Sequence, residues 1–239
     1  MKHDFHQPHC PVDPVLELSG LHLAATPPYD TGLAGLDLVV RRGELVVVLL
    51  EEGVWRHPLA DVVSGLLPPD AGAVRIFGTG WDGLSPDVQA VSRWKIGRVF
   101  EGNGWVSNLD VDENITLSER HHTRRPLAEI EDEMQRLAGV AGLDGIPPGR
   151  PAAVSRERLQ RCEWVRSMMG QPWLVLLERP GQDLSPGWRT GCGGLVAQAR
   201  ARGAAVIWLC EDAAEWNDKS LNPTLKLRAD GNTLRVGNP

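Results

Sequence analysis

Apolar and polar positions fall into two regimes along the chain. "VLELSGLHL" (15–23) and "LAGLDLVV" (33–40) alternate apolar with polar residues, the period-2 mark of strands with one buried face. With "RRGELVVVLL" following, this part reads as an antiparallel hairpin region around an Arg41–Glu44 turn. "ELVVVLL" (44–50), "PWLVLLE" (172–178) and "AAVIWLC" (204–210) are instead continuously apolar, as strands buried on both faces are. Helical spacing predicts helices over "HPLADVVSGLL" (57–67), "PLAEIEDEMQRLAGVAGL" (126–143), "SRERLQRCEWVRSMMG" (155–170) and "WRTGCGGLVAQARARG" (188–203). "SNLDVDENITLSER" has turn and capping character, "AGAVRIFGTGW" returns as a strand, and "TLKLRADGNTLRVGN" reads as a terminal hairpin around "DGN". Strand and helix alternation with apolar strands means an α/β core on a parallel sheet, with an antiparallel β region before it and a helical insert within it.

Composition narrows the function classes. At 239 residues, 42% of them hydrophobic, the chain is long enough for one sizeable core or a core with a small subdomain. A net charge of −6 without a run of five or more like charges gives no support to nucleic acid as a partner. Cys10, Cys162, Cys192 and Cys210 form no CxxC pair, and "MKHDFHQPHC" has no apolar leader core, so the cytosol is the expected compartment. The longest apolar runs are strand-sized, far short of the ~20 residues of a membrane span, which predicts a soluble or peripheral protein. His3, His6, His9 and Cys10 are metal-ligating types, but nothing near them fixes a geometry, and a frayed terminus over 1–14 is the preferred reading. Nine Trp against three Phe and one Tyr predict indole anchors in the core or at interfaces.

One junction carries candidate chemistry. A strand that runs through a short loop into a helix is where a phosphate-binding loop sits, yet Leu50–His57, "LEEGVWRH", holds one glycine and no lysine. From Val15 to about Trp216, the pieces "LDLVVRRGELVVVLL", "VVSGLLPPDAGAVRIFG", "WKIGRVFEG", "LDVDENITL", "RLQRCEWVRSMMGQPWLVLLERP" and "GAAVIWLCEDAAEW" stand in the order and at the distances of the ATPase subunit of an ABC transporter, which the chain resembles.

The resemblance implies an ABC-ATPase domain over 15–220, with its helical insert at about 103–168 and a hairpin tail at 221–239. It also implies where chemistry has been rewritten. A GxxGxGK[ST] loop surrounds phosphates with backbone N–H groups and a lysine while a hydroxyl holds Mg²⁺; here only Gly53 survives. Leu50 and Trp55 stand for glycines, Arg56 for the lysine and His57 for the hydroxyl, with Pro58 following. Glu51 and Glu52 would repel a polyanion. The glutamine after the "GRVF" strand is Glu101. The LSGGQ signature is "VSRER" (154–158), keeping Ser155 and placing charged side chains where glycine backbone should approach the γ-phosphate of the opposite subunit. The Walker B aspartate and glutamate fall on Glu178 and Arg179, and a guanidinium cannot act as a general base. The D-loop aspartate is Ser185 and the switch histidine Glu211.

Since these groups act on one transition state, the expectation is a pseudo-ATPase with no catalytic position intact, no cofactor and no resident metal. Trp55 and the paired carboxylates are expected to fill the phosphate space. The alternative is a divergent ATPase using ATP and Mg²⁺, with Arg56 on phosphate and Glu178 on the metal. A binding module for another anion would rest on Arg56 and His57. The resemblance implies a permease partner docking on "GNGWVSNLDVDENI" (102–115), with Trp105 and Asn108 as candidate contacts, at the inner face of the cytoplasmic membrane. It further implies a homodimer or a heterodimer with another ABC ATPase. "WKIGRVFEGNGWVSNLDVDENITL" is similar to ATPase subunits tied to MCE-type lipid transport, which would add MCE proteins as partners.

Overall fold

The computed structural model describes residues 10–102, 104–185 and 187–237. Strands β1 (Leu16–Leu23), β2 (Leu33–Val40), β4 (Ala71–Ile76) and β5 (Thr79–Gly80) form an antiparallel sheet in the order β2-β1-β4-β5. β1 lies between β2 and β4, with Leu18 opposite both Leu38 and Val74. A six-stranded sheet holds β3 (Leu45–Leu49), β6 (Ile96–Val99), β7 (Leu174–Glu178), β8 (Ala205–Cys210), β9 (Leu225–Asp230) and β10 (Thr233–Val236), in the order β10-β9-β3-β8-β7-β6. All its neighbours run parallel except the β9–β10 hairpin.

The apolar runs explain this layering. Leu45, Val47, Val175, Leu177, Val206 and Trp208 point into a core beneath helices, while Val46, Val48, Leu174, Leu176, Ile207 and Leu209 point into a second core beneath the antiparallel sheet. A strand apolar on both faces needs such a sandwiched position. For the same reason the Arg41–Glu44 turn does not close a hairpin between β2 and β3, as the pattern suggested; it carries the chain from one sheet to the other. The terminal hairpin is likewise no appendage, because β9 pairs with β3 from Val46↔Leu225 to Leu49↔Arg228. Of the loose lead expected over 1–14, Cys10 is buried and its Sγ donates to Val12 O, while Pro11 and Asp13 are exposed. The three N-terminal histidines lie outside the described residues.

The helices are α1 (Leu59–Val63), α2 (Pro86–Trp94), α3 (Val111–His122), α4 (Leu127–Val140), α5 (Arg156–Met168), α6 (Trp188–Ala201) and α7 (Ala213–Trp216). α1 is shorter than its apolar spacing suggested. It ends where Gly65, at φ +64°, passes the Trp81 indole so closely that a Cβ would lie 2.4 Å from the ring, and Trp81 Nε1 donates to Val63 O. α2 buries none of its residues, which is why apolar periodicity did not reveal it. α3 opens on a reciprocal cap between Asp110 and Glu113, as its capping pattern predicted. Trp164, Trp188 and Trp208 form a three-indole cluster with centroids 5.6 to 5.9 Å apart. Trp164 Nε1 donates to Pro180 O at 3.0 Å, so the cluster holds the turn that leaves β7.

Candidate functional site at the end of strand β3

The loop from Leu50 to Pro58 leaves the end of β3, turns at Gly53 (φ +86°) and enters α1. Leu50 is buried and donates its N–H to Cys210 O. In a phosphate loop the backbone N–H groups converge on the anion. Here the N–H groups of Trp55 and Arg56 both donate to Oδ2 of Asp30, at 2.9 and 2.8 Å. Asp30, on the β1–β2 connection, thus takes donors that an anionic ligand would need, and its own N–H returns to Arg56 O.

The inward-facing groups are carbonyls, and they face a cation of the chain itself. Arg179 is buried just past β7, with φ at +43°, a left-handed conformation that costs a non-glycine residue roughly 1–2 kcal/mol. Its Nη1 donates to Trp55 O and Glu101 Oε1, its Nη2 to Val54 O, and its Nε to Glu211 Oε2 at 3.0 Å. One guanidinium therefore joins the loop to the ends of β6, β7 and β8. Burial, opposed by Arg179, leaves the Glu101 carboxyl above the ordinary carboxylate value.

A second arginine occupies the Glu178 carboxylate. Arg98 on β6 grips Glu178 with Nε at 2.6 Å and Nη2 at 3.1 Å, and reaches Asp61 of α1 with Nη1 at 2.6 Å. Tyr29 Oη donates to the other Asp61 oxygen at 2.7 Å. Burial alone would raise the Asp61 pKa, but Tyr29 and Arg98 together hold it below the usual value, while burial and that same bond push the Tyr29 phenol up to about 12. His57 is buried, accepts the Leu59 N–H on Nδ1, and is pushed down to about 4 by burial and the nearby Arg179 charge. Pro58 caps α1 through its carbonyl, which accepts from Val62.

The structure thus brings Gly53, His57, Glu101, Glu178, Arg179 and Glu211 together, but it corrects what fills the cradle. Trp55 does not: its side chain is 68% exposed. Glu51 and Glu52 are exposed as well, Glu51 accepting the Gly231 N–H across to the β9–β10 turn. Arg56 is exposed and lies 5.6 Å from the Tyr29 ring. Ser155 stands apart as the exposed N-cap residue of α5, and its neighbour Glu157 accepts from Ser185 Oγ at 2.6 Å and Arg161 at 3.1 Å. Trp105 is half-buried with Arg166 4.7 Å from its ring, so it anchors its own loop, whereas Asn108 is exposed.

As arranged, these residues do not fit a magnesium nucleotide. The loop donors Trp55 and Arg56 are taken by Asp30, the loop carbonyls face inward, both Glu178 oxygens are held by Arg98, and His57 carries no hydroxyl. Sequence reasoning missed Asp30, Tyr29, Asp61 and Arg98. A charge inside the apolar strand "IGRV" was a legible signal for Arg98; Asp30 lies in a connection with no periodicity.

No family model matches the chain. It is 31% identical over 181 residues to the lipoprotein-releasing system ATP-binding protein LolD of Ruegeria pomeroyi, covering 73% of this chain and 78% of that protein. It is 31% identical over 153 residues to the sulfate/thiosulfate import ATP-binding protein CysA of Xylella fastidiosa (63% and 42% covered). Against the ribose import ATP-binding protein RbsA 2 of Rubrobacter xylanophilus it is 29% identical over 218 residues (87% and 40%). The chain thus spans about two fifths of the length of the latter two relatives. Its fold matches the ATP-binding subunit of an ABC transporter (TM-score 0.77, 20% identity, 93% and 88% covered) and a dimeric ATP-binding cassette bound to ADP and Pi (TM-score 0.80, 18% identity, 92% and 96% covered). Fold, element order and this similarity agree: the chain belongs to the family of ABC transporter ATP-binding subunits.

Proposed function

We propose that the chain is a degenerate ABC nucleotide-binding subunit, a pseudo-ATPase that serves a membrane permease as a structural or regulatory partner. The observation that carries this reading is Arg179, a cation of the chain bound where phosphate chemistry would need backbone N–H groups and a general base. Among the described residues no helix is long and apolar enough to cross a membrane, so the bilayer would be reached through a partner. The segment 102–115, with Val106 and Asn108 exposed, is the proposed permease contact. The similarity of 94–117 to subunits linked to MCE-type lipid transport supports lipid as cargo and an MCE protein as a further partner, with a second ABC ATPase or a second copy completing a dimer. The test is binding of a fluorescent ATP analogue with Mg²⁺ to the full chain, with turnover recorded on the same sample. No saturable binding and no turnover is the expected result. Saturable binding with turnover, both lost on Arg56→Ala, would establish a divergent ATPase instead.

A further inference from the structure

A cavity of about 320 Å³ is lined by Gly102 and Trp105, by Arg156, Leu159, Gln160 and Glu163 of α5, and by Gln182 and Asp183. Glu163 is 1% exposed, and its Oε2 has no hydrogen-bond partner among the described residues. Arg166 beside it serves the other oxygen of the carboxylate. Its Nη1 is committed to Gly104 O at 2.6 Å, its guanidinium lies against the Trp105 and Phe100 rings, and its Nη2 stands 3.4 Å from Glu163 Oε1. A buried carboxylate oxygen without a donor costs free energy that an incoming cation would recover.

We infer that this cavity receives the ammonium or guanidinium head of a lysine or arginine side chain presented by the protein that docks on 102–115. The inference rests on the docking role proposed above. The charges lining the cavity are Glu163, Asp183 and Arg156, one more negative than positive, with Arg166 behind Glu163 as its ion-pair partner, and Leu159 and Trp105 offer apolar surface to an aliphatic stem. Burial holds the Glu163 carboxyl up at about 7, so the free cavity gains its full negative charge only above neutrality.

The test titrates ethylguanidinium chloride and n-butylammonium chloride into the full chain and follows the Trp105 indole N–H by NMR. Saturable shifts are expected at pH 8, with affinity about tenfold weaker at pH 6, as protonation near 7 dictates. Glu163→Gln should weaken binding at least tenfold and abolish the pH dependence, while Gln182→Glu, on the exposed rim, should tighten it several-fold. n-Butanol should show no pH-dependent shift. Equal titration of wild type and both variants overturns the site. Co-purification with the permease is measured separately. Loss of co-purification in Glu163→Lys, with 102–115 unchanged, supports the partner side chain. Undiminished co-purification overturns that assignment even where the small cations bind, and leaves the docking of 102–115 standing.

Discussion

Arg125 and Arg179 are two arginines caged by carboxylates, and they do different things. Arg125 follows α3, donates to Glu119 at 2.9 Å and to Glu133 of α4 at 2.5 Å, and bonds the Glu129 carbonyl. It is a staple between neighbouring helices. Arg179 uses the same chemistry on Glu101 and Glu211, but its remaining donors go to two carbonyls of the loop after β3, and its backbone is held left-handed to deliver it there. The lesson is one of position. A guanidinium and carboxylates at a helix junction make a fastening; at the converging ends of β3, β6, β7 and β8 they close the inner side of the loop that leaves β3.

The comparison can be broken by removing each cation in turn, with urea unfolding as the readout. The largest loss is expected for Arg98→Ala, which strands Asp61 and Glu178, both nearly buried; breaking a buried ionic cluster from one side costs about 3–5 kcal/mol. A loss below about 1 kcal/mol would mean that these carboxylates rehydrate or protonate freely.

Next in size are two opposed pH dependences. His57 has a folded pKa near 4 against 6.5 unfolded, so the unfolded chain takes up the proton first and stability falls as pH drops from about 6.5 to 4. Glu163 has a folded pKa near 7 against 4.5, so the folded chain keeps its proton longer and stability falls as pH rises from about 4.5 to 7. Each shift is worth roughly 3 kcal/mol at 1.36 kcal/mol per unit. The two nearly cancel across the overlap. His57→Asn should therefore expose a decline with rising pH, and Glu163→Gln a decline with falling pH; parallel profiles for the two variants would contradict both assignments.

Arg125→Ala should cost about 3 kcal/mol, at the lower end of the range for breaking a buried cluster, because Glu119 and Glu133 both stay buried while Arg125 itself is partly hydrated. Arg179→Ala should cost less, about 1–2 kcal/mol, since Glu211 is half exposed and can regain water. If Arg179 proved costlier than Arg125, it would be a fastening first and a plug second.

The unequal legibility of the two cages follows from what sequence records. Continuous apolar runs located β3, β7 and β8 as strands buried on both faces, because burial is a local property of the pattern; which residue faces which of the two cores is seen in the structure. That Glu101, Arg179 and Glu211 gather at one place, with Glu178 beside them at the end of β7, was expected from spacing within the resembled framework. What they do to each other was not. That Arg179 reaches Val54 O and Arg98 takes Glu178 depends on side-chain direction across strands 80 to 125 residues apart. Trp55 was misplaced for the same reason: a large residue in a cradle reads as filler, yet the Arg179 guanidinium bonds the carbonyls of the two peptide units that flank the Trp55 Cα and the indole is left outside.

The most direct measurement of the central claim is titration of Mg²⁺ and a fluorescent ATP analogue into the full wild-type chain, with phosphate release followed in the same cuvette. The account predicts no saturable signal up to millimolar nucleotide and no release above buffer. Saturable binding with turnover that disappears in Arg56→Ala would contradict it, and would mean that Arg179 leaves the cradle when nucleotide arrives.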